Sequence, residues 1–422
     1  KNHDAIWIFF KFLRNERGYR HCQVAPEGHR VVATPSKKVV DIAFEVPEDR
    51  VGFFVYPAQN YRGKVEVTLK IFLDRKSFER VNTRTSQFTA YAIEMVKIPD
   101  GGFMLGDTDP STVEFGSLYK SDGEGTHGGL YSLTSEDQKV NISPQQGDLY
   151  FQAPEGFEGD HKGEITATIP KGVDVFYIMK YEPTQGQYAT FLNSLSESQS
   201  HHRVNFGGKT YYEERGSINI STGVYHATYP NAPCNFMSWD DAMAFADWAG
   251  LRPMTEFEFT KAARGSNSPK VGRDFPWSTD SKEALQRMIA ESGEFQLFNG
   301  WTEAQLSDDH LAIFGASHYW VMDLAGSLWE RVITIGDEKG RNFQGTEGDG
   351  NLTSYGFATN SDWPKGIEET GGFGFRGGGF YGYGRDYHDY NPYSPISFRP
   401  YGGWSGGNRT NAYGARFVKK GK

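Results

Sequence analysis

The chain has 422 residues, of which 37% are hydrophobic, 15% aromatic and 23% charged, with a formal net charge of −9. No stretch approaches the roughly 20 apolar residues that a spanning helix needs, which excludes a helical membrane bundle, and 9 Trp, 23 Tyr and 31 Phe exclude a wholly disordered chain. An acidic balance also argues against nucleic acid as a partner, since phosphate neutralisation needs a basic face.

At about 100–200 residues per domain, two to three domains are expected. Only Cys22 and Cys234 are present, too few for a disulfide framework or an all-thiolate metal site, and each reads as a buried free thiol. The chain opens at Lys1 without an initiator Met, which leaves room for a signal or lipid anchor removed before it. The Gly- and Tyr-rich, Cys-poor composition suits a bacterial envelope protein.

From Asp4 to about Leu73, apolar runs such as "DAIWIFFKFL", "VVDIAFEV" and "RVGFFVYPAQN" alternate with turn signals. β-branched and aromatic residues bounded by Gly, Pro and Asn predict a small antiparallel, β-sandwich-like domain over residues 1–85. The polar stretch Asp74 to Gln87 is the expected linker, and a second domain is placed at 92–422. Residues 107 to 172 are rich in Gly, Ser and Asp with weak periodicity and read as long loops or an insertion.

Three helices are better marked. In "PTQGQYATFLNSL", Thr184 caps and Gln187 closes a capping box, while Tyr188, Phe191, Leu192 and Leu195 form one apolar stripe. In "SWDDAMAFADWAG", Ser238 caps, Asp240 and Asp241 suit the helix dipole, Gly250 stops the helix, and the stripe is Ala242, Phe245, Ala246 and Ala249. In "TEFEFTKAARG", Thr255 caps with Glu258 three residues on. Beyond them, Gly371 to Phe417 holds 13 Gly and 13 aromatics in 47 residues, which predicts short strands joined by long loops.

The ordered motifs "YIMKYEPTQGQYATFLNSL", "PCNFMSWDDAMAFADWAGLRPMTEFEFTKAARG", "FPW", "VMDLAGSLWERV", "FRGGGF" and "GARFV" resemble the formylglycine-generating-enzyme family, also called the sulfatase-modifying-factor domain, over about residues 92 to 418. The resemblance implies an α+β fold with little regular secondary structure, related to C-type lectins and preceded here by the small β-domain. It also implies a copper oxidase using two cysteines after an R-G-G-S turn, a chemistry that soft thiolates suit. Here the turn reads Arg376, Gly377, Gly378, Gly379, the cysteine positions fall at about Gly382 and Tyr387, and no cysteine follows Cys234. Copper is therefore not expected. Nor is iron: the family's iron-dependent branch uses an H-x3-H-x-E helix, and no two of the eleven histidines are four residues apart.

The family's calcium loop falls on Asp323, Gly326, Leu328 and Glu330. Two carboxylates and two backbone oxygens suit a hard cation, so structural calcium is the expected cofactor. The alternative is that Asp323 caps a turn and Glu330 pairs with an arginine. "EGDGN", Glu347 to Asn351, has calcium-like spacing but reads more simply as a turn. His201 and His202 read as a solvated loop and Asp308-Asp309 as polar surface.

In lectin-like and oxidase relatives the groove lies partly on the loops after the R-G-G turn. The candidates there are Tyr381, Tyr383, Arg385, Tyr387, His388, Tyr390, Trp404, Asn408 and Arg409, residue types typical of contact hot spots; about half are expected to be core instead. Arg376 and Arg416 read as structural. The leading expectation is a non-catalytic binding or scaffold module of a bacterial envelope or extracellular assembly, resembling gliding- and secretion-associated members. Its place would be periplasmic, outer-membrane-associated or extracellular, and its partner a protein or a glycan. Two rivals stand beside it: an enzyme using His388 with Asp386 or Asp389, and a diversified ligand receptor.

Overall fold

In the computed structural model of the chain, the residues described are all except 1–2, 14–17, 34–39, 62, 80, 205, 207–208, 282–301, 367–369, 380–394 and 407–408. Eight strands share the main sheet: β1 (Asp4–Leu13), β2 (Tyr19–Cys22), β3 (Ile42–Glu45), β4 (Gly52–Pro57), β5 (Phe88–Ile98), β6 (Phe176–Met179), β7 (Arg252–Pro253) and β8 (Phe417–Lys420). Their order is β7-β8-β6-β5-β1-β4-β3, with β2 also on β1, and every pair is antiparallel. A second sheet joins Phe373–Arg376, Trp329–Ile333 and Tyr413–Ala415.

The strands assigned by sequence to two units thus lie in one sheet. β1 pairs with β5 over nine residues, from Asp4 opposite Val96 to Phe12 opposite Phe88, while the other edge of β5 takes β6. The expected linker contains a short 3-10 turn, Arg75–Phe78, capped by Asp74 and anchored by buried Phe78.

The packing explains the continuity. Alternation along β1 sends Ala5, Trp7 and Phe9 to one face, where they enter the same core cluster as Trp239, Phe245 and Phe417. The Trp7 indole N–H donates to the Ala249 carbonyl at 2.8 Å, and Phe9 meets Trp248 edge-on at 5.1 Å. Burying two such rings contributes several kcal/mol, roughly 1.5–3 for each large apolar side chain.

The helices expected at Thr184, Ser238 and Thr255 begin at those caps, and a further one, not expected, follows the first. α1 (Gln185–Asn193) and α2 (Glu197–Arg203) have capping boxes from Thr184 with Gln187 and from Ser196 with Gln199. α3 (Trp239–Ala249) is boxed by Ser238 with Asp241 and ends on Gly250 at φ 68°, and α4 (Glu256–Arg264) is boxed by Thr255 with Glu258. The expected four-residue stripe on α3 is too narrow. Every residue of this helix except Asp240 is buried, because the sheet covers one side and the segment around Gly348 the other. His201 and His202 are exposed as expected, but on α2 rather than in a loop. Residues 107 to 172 carry several short strands, four of them in one small sheet, between long connections.

Candidate functional site

The C-terminal face is built around one buried carboxylate. Strand Phe373–Arg376 runs into the turn Gly377–Gly379, where Gly377 and Gly378 have φ 84° and 70°. A Cβ on Gly379 would sit 2.6 Å from the Trp329 nitrogen, so this approach admits only glycine. Arg376 opens the turn, and both it and Arg399 end on Glu256 of α4. Glu256 is fully buried and also accepts hydrogen bonds from the Thr334 hydroxyl (2.9 Å) and the Ile335 N–H (3.1 Å). Burial alone would raise its carboxyl, but Arg399 and then Arg376 hold it below the usual glutamate value.

Residues between those anchors, including candidates Tyr381, Tyr383, Arg385, Tyr387, His388 and Tyr390, lie outside the described residues, as does Asn408. Trp404 is described and is 38% exposed. It packs on Tyr401 (5.3 Å) and Tyr413 (6.0 Å), and Tyr401 meets Trp329 edge-on (5.0 Å). Beneath this patch the buried Arg331 guanidinium stacks over Phe375 (4.7 Å) and donates to the Met237 carbonyl (2.9 Å). The result is a half-exposed aromatic surface over a cationic layer.

Arg409 sits differently. It grips both carboxylate oxygens of Asp241 at 2.6 and 2.7 Å, and Arg203 reaches the same carboxylate at 3.1 Å. Its charge is thereby committed to joining the C-terminal loop to the first turn of α3.

The calcium-loop candidates gather in one buried place. Asp323 is 3% exposed with φ 63°, and the Gly326 N–H donates to the Gly377 carbonyl. Arg416 places both Nε and Nη2 on Oε1 of Glu330, at 2.7 and 2.6 Å, leaving Oε2 buried without a hydrogen-bond partner among the described residues. The same neighbourhood holds Glu182, a residue without a sequence signal of its own. Its carboxylate accepts from the Ser327 hydroxyl (2.6 Å) and the Leu328 N–H (3.1 Å). Burial, and next the Glu330 charge, push Glu182 well above the ordinary value; burial likewise raises Glu330 against the pull of Arg416.

Glu330 is thus paired with an arginine, the alternative set out for this loop, and a cation there would have to draw its remaining donors from backbone carbonyls. Among the described residues no group of three or more His, Cys, Asp or Glu is arranged to hold a metal, so the donor set would have to be of that mixed kind. "EGDGN" is instead bound to α3: Asp247 accepts the Asp349 N–H at 2.9 Å, and its backbone carbonyl accepts the Gly350 N–H. Asp308 accepts from the Trp320 indole at 3.0 Å. Both cysteines are buried free thiols.

An α+β body with one eight-stranded sheet, several small ones, box-capped helices and an Arg-Gly-Gly turn is consistent with the sulfatase-modifying class of fold. The chain belongs to the Sulfatase-modifying factor enzyme 1-like domain family, whose profile matches residues 131–420. The match begins later than the residue 92 expected from the motifs. Similar proteins include the formylglycine-generating enzyme of Streptomyces coelicolor, 27% identical over 239 residues that cover 56% of this chain and 67% of the relative. The formylglycine-generating enzyme of Bos taurus is 23% identical over 188 residues, 37% of this chain and 48% of the relative. That of Thermomonospora curvata is 31% identical over 102 residues, 24% of this chain and 33% of the relative. The chain thus spans from a third to two thirds of the curated relatives it matches.

Proposed function

We propose that the protein is a non-catalytic binding or scaffold member of its family, working in a bacterial envelope or extracellular assembly. The observation that carries this is the sequence of the groove: the Arg-Gly-Gly turn is kept, but Gly382 and Tyr387 stand where copper-binding thiolates would be needed. Neither cysteine of the chain stands at these positions, and both Cys22 and Cys234 are buried.

On this reading the family scaffold is retained for its surface. The aromatic patch of Trp404, Tyr401 and Tyr413 offers rigid contact area with polar tips, as binding hot spots do. Calcium, held by Asp323, Glu330 and the carbonyls of Gly326 and Leu328, would brace the loop that meets the Gly377 turn. When bound, it supplies charge compensation rather than chemistry.

The test is incubation of the copper-loaded native protein with a cysteine-containing substrate peptide, followed by mass spectrometry. Unmodified peptide is expected, together with a stoichiometric protein partner on crosslinked affinity purification from native envelopes. Oxidised peptide, absent from a heat-killed control, would overturn the proposal.

A further inference from the structure

Beside β5 and α1 lies a half-open cleft of about 520 Å³, within the range of peptide- and ligand-sized sites. Five consecutive residues of β5, Ala90 to Glu94, wall it. Side chains of a strand alternate between faces, so a run of five neighbours can border one cleft only through the strand's edge.

The hydrogen bonds show which backbone groups that edge presents. β6 pairs with β5 only from Met95 to Ile98, and the last bond on that side is the Lys180 N–H to the Glu94 carbonyl at 3.0 Å. Alternation then places the N–H and C=O of Ala92 and Ala90 on the same side, with no strand opposite them among the described residues. The odd-numbered residues face the other way. The Lys97 N–H donates to His3 and the Gln87 carbonyl accepts from Leu13, both toward β1. Ala90, Ala92 and Glu94 are exposed. An open edge of this kind inside a sheet is a template for another strand.

Its surroundings choose the occupant. Of the two acidic side chains in the wall, Glu182 is buried and held by Ser327 and Leu328, whereas Glu94 is exposed beside the open edge and no Lys, Arg or His shares the wall, which disfavours an acidic segment and favours a basic one. On the helix side Phe9, Phe245 and Trp248 offer apolar area. The Trp248 indole N–H, on the same side of the cleft, is buried with no hydrogen-bond acceptor among the described residues. We infer that the free edge of β5 between Phe88 and Ile93 accepts an extended, neutral-to-basic peptide segment of a partner protein as an added antiparallel or parallel strand. This site lies apart from the aromatic patch, and the inference stands whether or not the protein proves catalytic.

The experiment titrates the full chain with two labelled hexapeptides, one alternating Val with Lys and one alternating Val with Glu, read by fluorescence anisotropy and by amide NMR. The Val/Lys peptide should bind saturably, at least about tenfold tighter than the Val/Glu peptide, and shift the Ala90 and Ala92 amides. Ala92→Pro removes an N–H that no described residue accepts and should abolish binding while leaving the melting temperature within about 2 °C. Ala92→Trp, which sets a large ring beside the free edge at an exposed position, gives the same readout should the proline variant not fold. Binding unchanged in both variants, absence of binding by either peptide, or self-association of the free chain through these amides overturns the inference.

Discussion

Replacing Glu256 with Gln keeps the shape of the side chain and removes the one charge that holds Arg376 and Arg399. Both guanidiniums are 1% exposed and would face a neutral amide. Breaking a buried pair from one side costs about 3–5 kcal/mol, because the remaining charge stays buried without compensation. An unfolding entropy of about 2.1 cal/mol/K per residue over 422 residues gives about 0.9 kcal/mol/K, so the melting temperature should fall by about 3–6 °C. Since Glu256 titrates below its unfolded value, its contribution is complete above about pH 4.3 and disappears as pH falls through the folded value. The deficit of E256Q should therefore be constant near neutrality and shrink only in acid. Calorimetry at several pH values measures this, and limited proteolysis between Arg376 and Arg399 should be faster in the variant. A melting temperature within 1 °C of the parent, with unchanged cleavage, would refute the claim that this carboxylate anchors both Arg376 and Arg399.

Three further outcomes follow from buried groups. Burial pushes Cys22 up to about 11 and also raises Cys234, so at pH 8 iodoacetamide should label native Cys22 about 100-fold more slowly than in urea and Cys234 more slowly as well; rapid native labelling would contradict their burial. Burial lowers Lys11 to about 7, against about 10.4 unfolded, so the unfolded state binds the extra proton between those values. Stability should accordingly gain about 1.4 kcal/mol per pH unit from this group as pH rises above 7, and Lys11→Met should remove that slope; an identical pH profile for the variant refutes it. Calcium at about 100 times its dissociation constant should add about 2.7 kcal/mol, a rise of about 3 °C, and Glu330→Gln should cancel the response; equal melting temperatures in calcium and in chelator count against the site.

Local chemistry was legible in the sequence, and long-range charge pairing was not. The boxes at Thr184, Ser238 and Thr255 concern residues three apart, so each cap announces itself. Glu256 reads only as a first-turn acid of α4, because its partners lie 120 and 143 positions away. Glu182 meets Ser327 across 145 positions, and Arg409 meets Asp241 across 168. The division into two units failed to show the shared sheet for the same reason. Turn residues and a polar segment mark where a chain bends, but which strands pair is decided by the apolar faces of β1 and β5. Those faces look alike whether they cover a separate core or a common one.

The shared sheet separates the unit that sequence comparison recognises from the unit that must fold. A fragment cut at residue 131, where the family match begins, would omit β1 and β5 and leave Trp248, Ala249 and Tyr177 without Phe9, Trp7 and Phe54 over them. A cut at residue 86 would keep β5 but strip the nine-residue partner from its other side, exposing Ile93 and Met95. Either fragment presents a long apolar margin to its own copies and should precipitate on expression, so the family region is best produced together with the strands that precede it.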